Sequence, residues 1–594
     1  MTSSTATLLG PPSVATVETP THKPATISSP KNPVSDDHNL TATLNLEEPP
    51  KGLTENFSPT FLSSGNPCLD FFFHVVPNTS PEDLVQRLAV SWSHDPLTTL
   101  KLVCNLRGVR GTGKSDKEGF YTAAFWLYKS HPKTLALNLP ALVGFGYFKD
   151  LPEILYRILE EEISGPVDKV KARALKKQRE FEKAKKALER YNSDANYRLL
   201  FDGIADLFSD LLKSDLKYLN STELNKIGLA SKWCPSVDSS YDKTTLICEA
   251  IARRMFPRDD YEGIEEAHYA YRIRDRLRKE VLVPLHKALE LPELSMSANG
   301  WDLLKYKRVA SVAMKNYKKV FVEHDSERFS KFLEDVKSGK EKIAAGALLP
   351  HQIIKQLEDS EVGAEVAELQ WTRMVDDLAK KGKLKSSLAV CDVSGSMTGT
   401  PMEVCVALGL LVSELNEEPW KGKVITFSEN PQLHIVKGST LMEKTEFVRQ
   451  MDWGMNTDFQ KVFDRILEVA VKNNLTDDQM IKRLFVFSDM EFDDATRNRY
   501  LKKQSKEKWE TDYEVVQRKY KENGFQNVPE IVFWNLRDSS ATPVVAKQKG
   551  VAMVSGFSKN LLTLFLEEGG IMNSEDLMWL AIKGEEYKKL AVYD

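Results

Sequence analysis

Asp392, Ser394 and Ser396 stand at alternate positions in the segment Cys391-Asp392-Val393-Ser394-Gly395-Ser396-Met397. One carboxylate and two hydroxyls at that spacing can converge on a hard cation, which takes oxygen ligands. Two later segments carry further oxygen donors. Thr457 lies in Asn456-Thr457-Asp458, just before the helical run 459–472, and Asp489 follows the apolar run 483–487 and Ser488. The competing reading is that Asp392 and its serines cap a helix, accepting from the free N–H groups of a first turn. Five such donors on three loops favour a metal site over a cap.

The elements that would position these loops are legible from periodicity. Residues 387–391 form a short apolar run of the kind found in central parallel strands. Residues 401–415 are apolar at helical spacing, with Pro401 near the start. The spacing predicts further strands over 424–427, 432–436, 483–487, 530–536 and 551–554. Helices are expected over 559–568 and 574–590, with a charged, largely exposed helix over 497–523. Strand alternating with helix from Lys385 onward predicts an α/β doubly wound sheet. Ligands in such sheets sit beyond the carboxyl ends of the strands, where the three loops fall.

With these residues in view, Asp392-x-Ser394-x-Ser396, Thr457 and Asp489 resemble the metal-ion-dependent adhesion site of von Willebrand factor A domains, a Rossmann-like fold. The resemblance implies that Asp392, Ser394 and Ser396 coordinate Mg²⁺ or another divalent cation directly. It implies that Thr457 and Asp489 bind the ion directly or through water. It further implies an open coordination position for an acidic residue of a protein partner.

Upstream, residues 66–378 read as helical nearly throughout. Apolar residues recur at three- and four-residue spacing over 81–92, 117–129, 152–162, 194–213 and 243–255, with short turns between. Many successive helices suggest an α-helical repeat array of the HEAT kind, although no clean period is found. Asp95-Pro96-Leu97, Leu106-Arg107-Gly108-Val109-Arg110-Gly111, the segment 306–314 and Ala347-Leu348-Leu349-Pro350-His351 resemble parts of the TROVE module of Ro-type RNA-binding proteins. In those proteins a helical array, closed into a ring, likewise precedes a von Willebrand A domain. With Lys232-Trp233-Cys234-Pro235 and the segment 296–302, the chain resembles a plant and viral family of uncharacterised proteins joining these two modules. The expected organisation is a disordered tail over 1–65, a helical TROVE-like domain over 66–378 and a von Willebrand A-like domain over 385–594.

Two basic segments offer an RNA surface. Arg272, Arg274, Arg276, Arg278 and Lys279 lie close together on one expected helix. Lys305, Lys307, Arg308, Lys315, Lys318 and Lys319 are interleaved with Tyr306 and Tyr317. Cationic side chains attract the phosphate backbone and tyrosines stack on unpaired bases. The plain alternative is solvated helix faces with the tyrosines in the core. The charged run 169–190 reads as an exposed helix, its acidic residues offsetting its basic ones. Gly108-Val109-Arg110-Gly111-Thr112-Gly113-Lys114-Ser115 matches the phosphate-loop pattern, which would put Lys114 on phosphate and Ser115 on Mg²⁺. Helices rather than parallel strands follow it. The favoured reading is a turn between helices whose Arg107, Arg110 and Lys114 face a partner.

The 594 residues call for two or three domains. A net charge of −4, from 81 basic and 85 acidic side chains, gives no global pull towards nucleic acid. Six scattered cysteines with no Cys-x-x-Cys pair argue against a disulfide framework or zinc module and fit a reducing compartment. No apolar run approaches the roughly 18–20 residues of a membrane helix. The expected location is cytoplasmic, with the nucleus as the alternative. A transit peptide is disfavoured because the first 40 residues lack Arg and contain Glu18, Asp36 and Asp37. No catalytic constellation stands out, so the chain reads as a non-enzymatic scaffold. Glu491, two residues after Asp489, could serve as a general base but reads rather as a surface or supporting residue. His351 and His434 read as structural.

Overall fold

The computed structural model describes residues 8–10, 49–160, 176–221, 223–418, 420–427, 431–451, 459–472, 480–492, 512–525, 528–566 and 570–594. The chain divides into two compact units. One comprises Met1–Pro49 with Leu151–Ala288, the other Pro50–Asp150 with Leu289–Asp594. This division cuts across the expected boundaries: residues 66–378 contribute to both units.

The first unit is helical among its described residues. Helix Ala195–Asn220 begins at Asp194, whose carboxylate accepts the Asn196 and Tyr197 N–H groups. It buries Tyr197, Leu200, Phe201, Ile204, Phe208 and Leu212 at helical spacing. The single helix expected over 243–255 is instead two, Ser240–Thr245 and Ile247–Met255, with Leu246 between them at φ +62°. The reason is Asp242, a buried residue in the first helix whose Oδ1 accepts the Cys248 N–H at 3.0 Å and so caps the second. Helix Glu266–Arg276 runs into a π-helical stretch, Leu277–Leu282.

The second unit joins N-terminal helices to a mixed six-stranded sheet. Helices Pro67–His74, Pro81–His94, Pro96–Arg107 and Lys117–Ser130 are capped by Asn66, Ser80, Asp95 and Asp116 in turn. Strands β1 (Lys51–Leu53) and β2 (Pro59–Phe61) pair antiparallel. The remaining strands are β3 (Ser387–Asp392), β4 (Lys423–Phe427), β5 (Leu433–Ile435), β6 (Arg483–Ser488), β7 (Glu530–Asn535) and β8 (Val551–Ser555). Their order is β5-β4-β3-β6-β7-β8, with β5 antiparallel to β4 and the other neighbours parallel. All six residues of β3 are buried, which explains its unbroken apolar run. Helix Thr400–Leu415 packs against it so closely that a Cβ on Gly409 would lie 2.4 Å from Cys391 Sγ.

Three expectations change. Residues 50–65 are not tail: Phe61 pairs with Thr542, and the Thr54 hydroxyl donates to the Phe492 carbonyl at 2.7 Å. Most of residues 1–49 lie outside the described residues. The expected helix 574–590 ends at Ala581 and resumes as a 3-10 turn, Glu585–Lys589, and 559–565 is also 3-10. Of the expected helix 497–523 only residues 512–523 are described, helical over Asp512–Glu522. Of the run 169–190, residues 169–175 lie outside the described residues, while 176–190 belong to helix Lys176–Ser193.

Candidate metal centre

Register brings the first two loops together. Cys391 on β3 is level with Phe487 on β6, so Asp392 and Ser488 end neighbouring parallel strands side by side. Ser488 Oγ donates to Asp392 Oδ2 at 2.6 Å, and the Ser394 N–H donates to Oδ1 at 3.0 Å. Ser394 Oγ and Ser396 Oγ are 3.0 Å apart. Asp392 is fully buried and Ser394 6% exposed, whereas Ser396 faces solvent, so the oxygen donors run from the sheet edge to the surface.

Asp489 follows Ser488 directly and is 2% exposed. Its Oδ1 accepts the Glu491 N–H at 3.2 Å. Its Oδ2 is buried and makes no hydrogen bond among the described residues, and the Arg537 guanidinium is 3.5 Å away. Burial raises the Asp392 carboxyl well above the usual carboxylate range, and the Asp489 charge raises it further, against the opposing bonds from Ser394 and Ser488. Met490, fully buried, holds φ +66°, a conformation unfavourable for a long side chain. Ser488 Oγ secures it by accepting the Met490 N–H at 3.1 Å.

An under-bonded carboxylate oxygen beside a second buried carboxylate and two hydroxyls is a donor set that fits a hard divalent cation. Asp392, Ser394, Ser396 and Asp489 could hold it. Thr457 lies outside the described residues. No group of three or more His, Cys, Asp or Glu disposed to hold a metal occurs among the described residues, so hydroxyls would have to complete the set. Two supporting residues escaped sequence reasoning. Ser488 was visible only as the neighbour of Asp489, and Arg537 had no local signal. Glu491 is 5% exposed rather than on the surface; its carboxylate accepts from the Ser539 hydroxyl and, at 2.6 Å, from the Glu55 N–H.

The basic residues fare unevenly. Lys114 is 1% exposed, and its Nζ donates to the carbonyls of Phe72 and Val75 and to Ser555 Oγ. Its turn joins two helices, Pro96–Arg107 and Lys117–Ser130, rather than a strand and a helix. Lys114 therefore presents no ammonium to phosphate or partner. Arg107 is likewise enclosed, its Nε 2.8 Å from Asp150 Oδ2, whereas Arg110 is exposed. Lys318 is 2% exposed and donates to Gln356 and Asp359. Tyr306 is buried, with its hydroxyl on Asp325, and Tyr317 packs partly buried against the same core.

Other expected RNA contacts are exposed to some degree but paired. Arg274 binds Asp238 and Asp242, Arg276 binds Glu280, and Lys279 binds Asp275. Lys305 and Arg308 share Glu290, and Lys307 meets Glu341. Burial lowers the pKa of half-buried Lys315, and the neighbouring Lys318 adds to that. Arg272, Arg278 and Lys319 are exposed. All six cysteines are buried free thiols, and no helix among the described residues is long and apolar enough to cross a membrane.

Two family models match the chain. Domain of unknown function DUF2828 covers residues 54–170 and 162–384, and domain of unknown function DUF7788 covers 386–591. Uncharacterized protein L728 of Acanthamoeba polyphaga mimivirus is 30% identical over 546 residues, 88% of this chain and 85% of the viral protein. With one relative aligned across most of both chains and two models meeting near residue 385, the chain belongs to the family that joins DUF2828 to DUF7788.

Proposed function

We propose that this protein is a non-enzymatic binding scaffold whose C-terminal part, residues 385–594, is a von Willebrand A-like domain with a divalent-cation adhesion site. Asp392, Ser394, Ser396 and Asp489 hold Mg²⁺ or a similar ion, with Thr457 as a further ligand. The ion leaves one position for the carboxylate of an acidic residue on a protein partner. The observation that carries this reading is Asp489 Oδ2, buried near the buried Asp392 with no hydrogen bond among the described residues and with the Arg537 guanidinium 3.5 Å away. Arg537 offsets the Asp489 charge in part, and a divalent cation between the two carboxylates would offset the repulsion that remains.

Metal titration tests it. An ion present at 100 times its dissociation constant stabilises the folded chain by about 2.7 kcal/mol. Mg²⁺ or Mn²⁺ should therefore raise the unfolding temperature of the wild-type chain, with the gain reversed by chelator and absent from Asp392→Ala. An equal gain in that variant would sink the proposal.

A second reading is RNA binding through a TROVE-like helical part. It is supported by the exposed side chains of Arg272 and Arg278, neither of which makes an ion pair among the described residues. Each lost phosphate contact should lower the slope of log affinity against log salt by about 0.7–0.9. The double variant Arg272→Glu with Arg278→Glu should flatten that slope for single-stranded RNA. An unchanged slope would leave the metal site as the sole reading.

A further inference from the structure

Leu9 and Gly10 dock within the first unit, 240 and 239 residues from their partner in sequence. That partner is Glu249, in the first turn of helix Ile247–Met255 and 2% exposed. Its Oε1 accepts the Leu9 N–H at 3.1 Å, together with Arg253 Nε at 3.1 Å and a terminal guanidinium nitrogen at 2.8 Å. Its Oε2 accepts the Gly10 N–H at 3.0 Å.

Two consecutive N–H groups closing on one carboxylate, with the second residue at φ +73°, form the backbone nest that binds anions. Glycine adopts that φ at no steric cost, so Gly10 suits the position chemically as well as geometrically. Arg253 serves one carboxylate oxygen only. Without the docked segment, Oε2 would be a buried, charged acceptor with no donor among the described residues, which is costly. The two prolines that follow, Pro11 and Pro12, restrict the free segment and reduce the entropy lost on docking.

We infer that the helical unit carries a peptide-recognition site centred on Glu249, which takes a Leu-Gly segment in the nest conformation and is filled by the chain's own residues 8–10. Being tethered, this segment competes at high effective concentration with any peptide of the same chemistry offered by another protein. Glu249 and residues 8–10 belong to the first unit, and the metal loops to the second.

The test uses a fluorescent peptide spanning Ser4–Val14, added to the full chain and to a chain lacking residues 1–12. The shortened chain should bind it saturably, and the full chain at least about tenfold more weakly. A peptide carrying Gly10→Val should lose at least about tenfold on the shortened chain, because valine resists the required φ. Should the shortened chain fail to fold, the full chain carrying Gly10→Val replaces it, since its own segment is released. Equal affinity of the two chains, equal affinity of the two peptides, or no saturable binding would each overturn the inference.

Discussion

Lys114 occupies the lysine of a phosphate-loop pattern, yet its donors end on the carbonyls of Phe72 and Val75 and on Ser555 Oγ. Three acceptors match the three N–H bonds of an ammonium, although burial pulls its pKa down to about 7. Lys114→Ala should therefore cost on the order of 2–4 kcal/mol, from acceptors left dry and from the cavity opened. Urea unfolding measures this, and a loss below about 0.5 kcal/mol would show that water replaces the ammonium without penalty. The spacing of Gly108 to Ser115 carries no information about what covers it, so the burial of Lys114 could not be read from the chain. Lys318 and Arg107 mislead for the same reason: a charged letter does not show whether an acidic partner from a distant segment encloses it. Asp392, Ser394 and Ser396 are different. Three donors on one short loop must lie close together whatever the rest of the fold does, and so their proximity was legible.

Among the elements, the five strands that end near the candidate site or flank it announce themselves because fully buried parallel strands are continuously apolar. Breaks within helices do not. Leu246 at φ +62° has no glycine to mark it, and the cause is Asp242 capping the next helix. The contact between helix Thr400–Leu415 and β3 was also hidden, since Gly409 in a helix reads only as a weak position. That glycine lets the helix lie against Cys391, the residue before Asp392. Gly409→Ala should cost about 1–3 kcal/mol despite the better helix propensity of alanine, because the new methyl group displaces Cys391 Sγ. Combining it with Cys391→Ala should return at least half of the loss. A double-mutant cycle by thermal unfolding checks this, and simple additivity of the two changes would exclude the contact as the cause.

At the scale of the whole molecule, the sheet depends on residues that precede it by several hundred positions. His74 is fully buried, with Nδ1 2.8 Å from the Ser539 carbonyl oxygen and Nε2 3.0 Å from Thr542 Oγ1. Burial holds its pKa down at about 3, so it remains neutral. Asn105 donates to the Tyr587 hydroxyl at 3.0 Å, and the Thr134 hydroxyl donates to Asp594 at 2.7 Å. Lys114 adds Ser555, and Glu55 and Asn56 clasp Glu491 two residues from Asp489. A fragment of residues 385–594 would expose the apolar surface against which these helices pack and leave several buried polar groups without partners, each costing about 1–3 kcal/mol. Against a typical net stability of about 5–15 kcal/mol, that sum removes most of what holds a domain together. The fragment should therefore unfold at a markedly lower temperature than the full chain, or fail to unfold cooperatively, as calorimetry would record. A fragment that includes residues 50–150 through a flexible linker should recover cooperative melting. If residues 385–594 alone melt cooperatively at the temperature of the full chain, the N-terminal helices are a covering layer and not part of the folding unit.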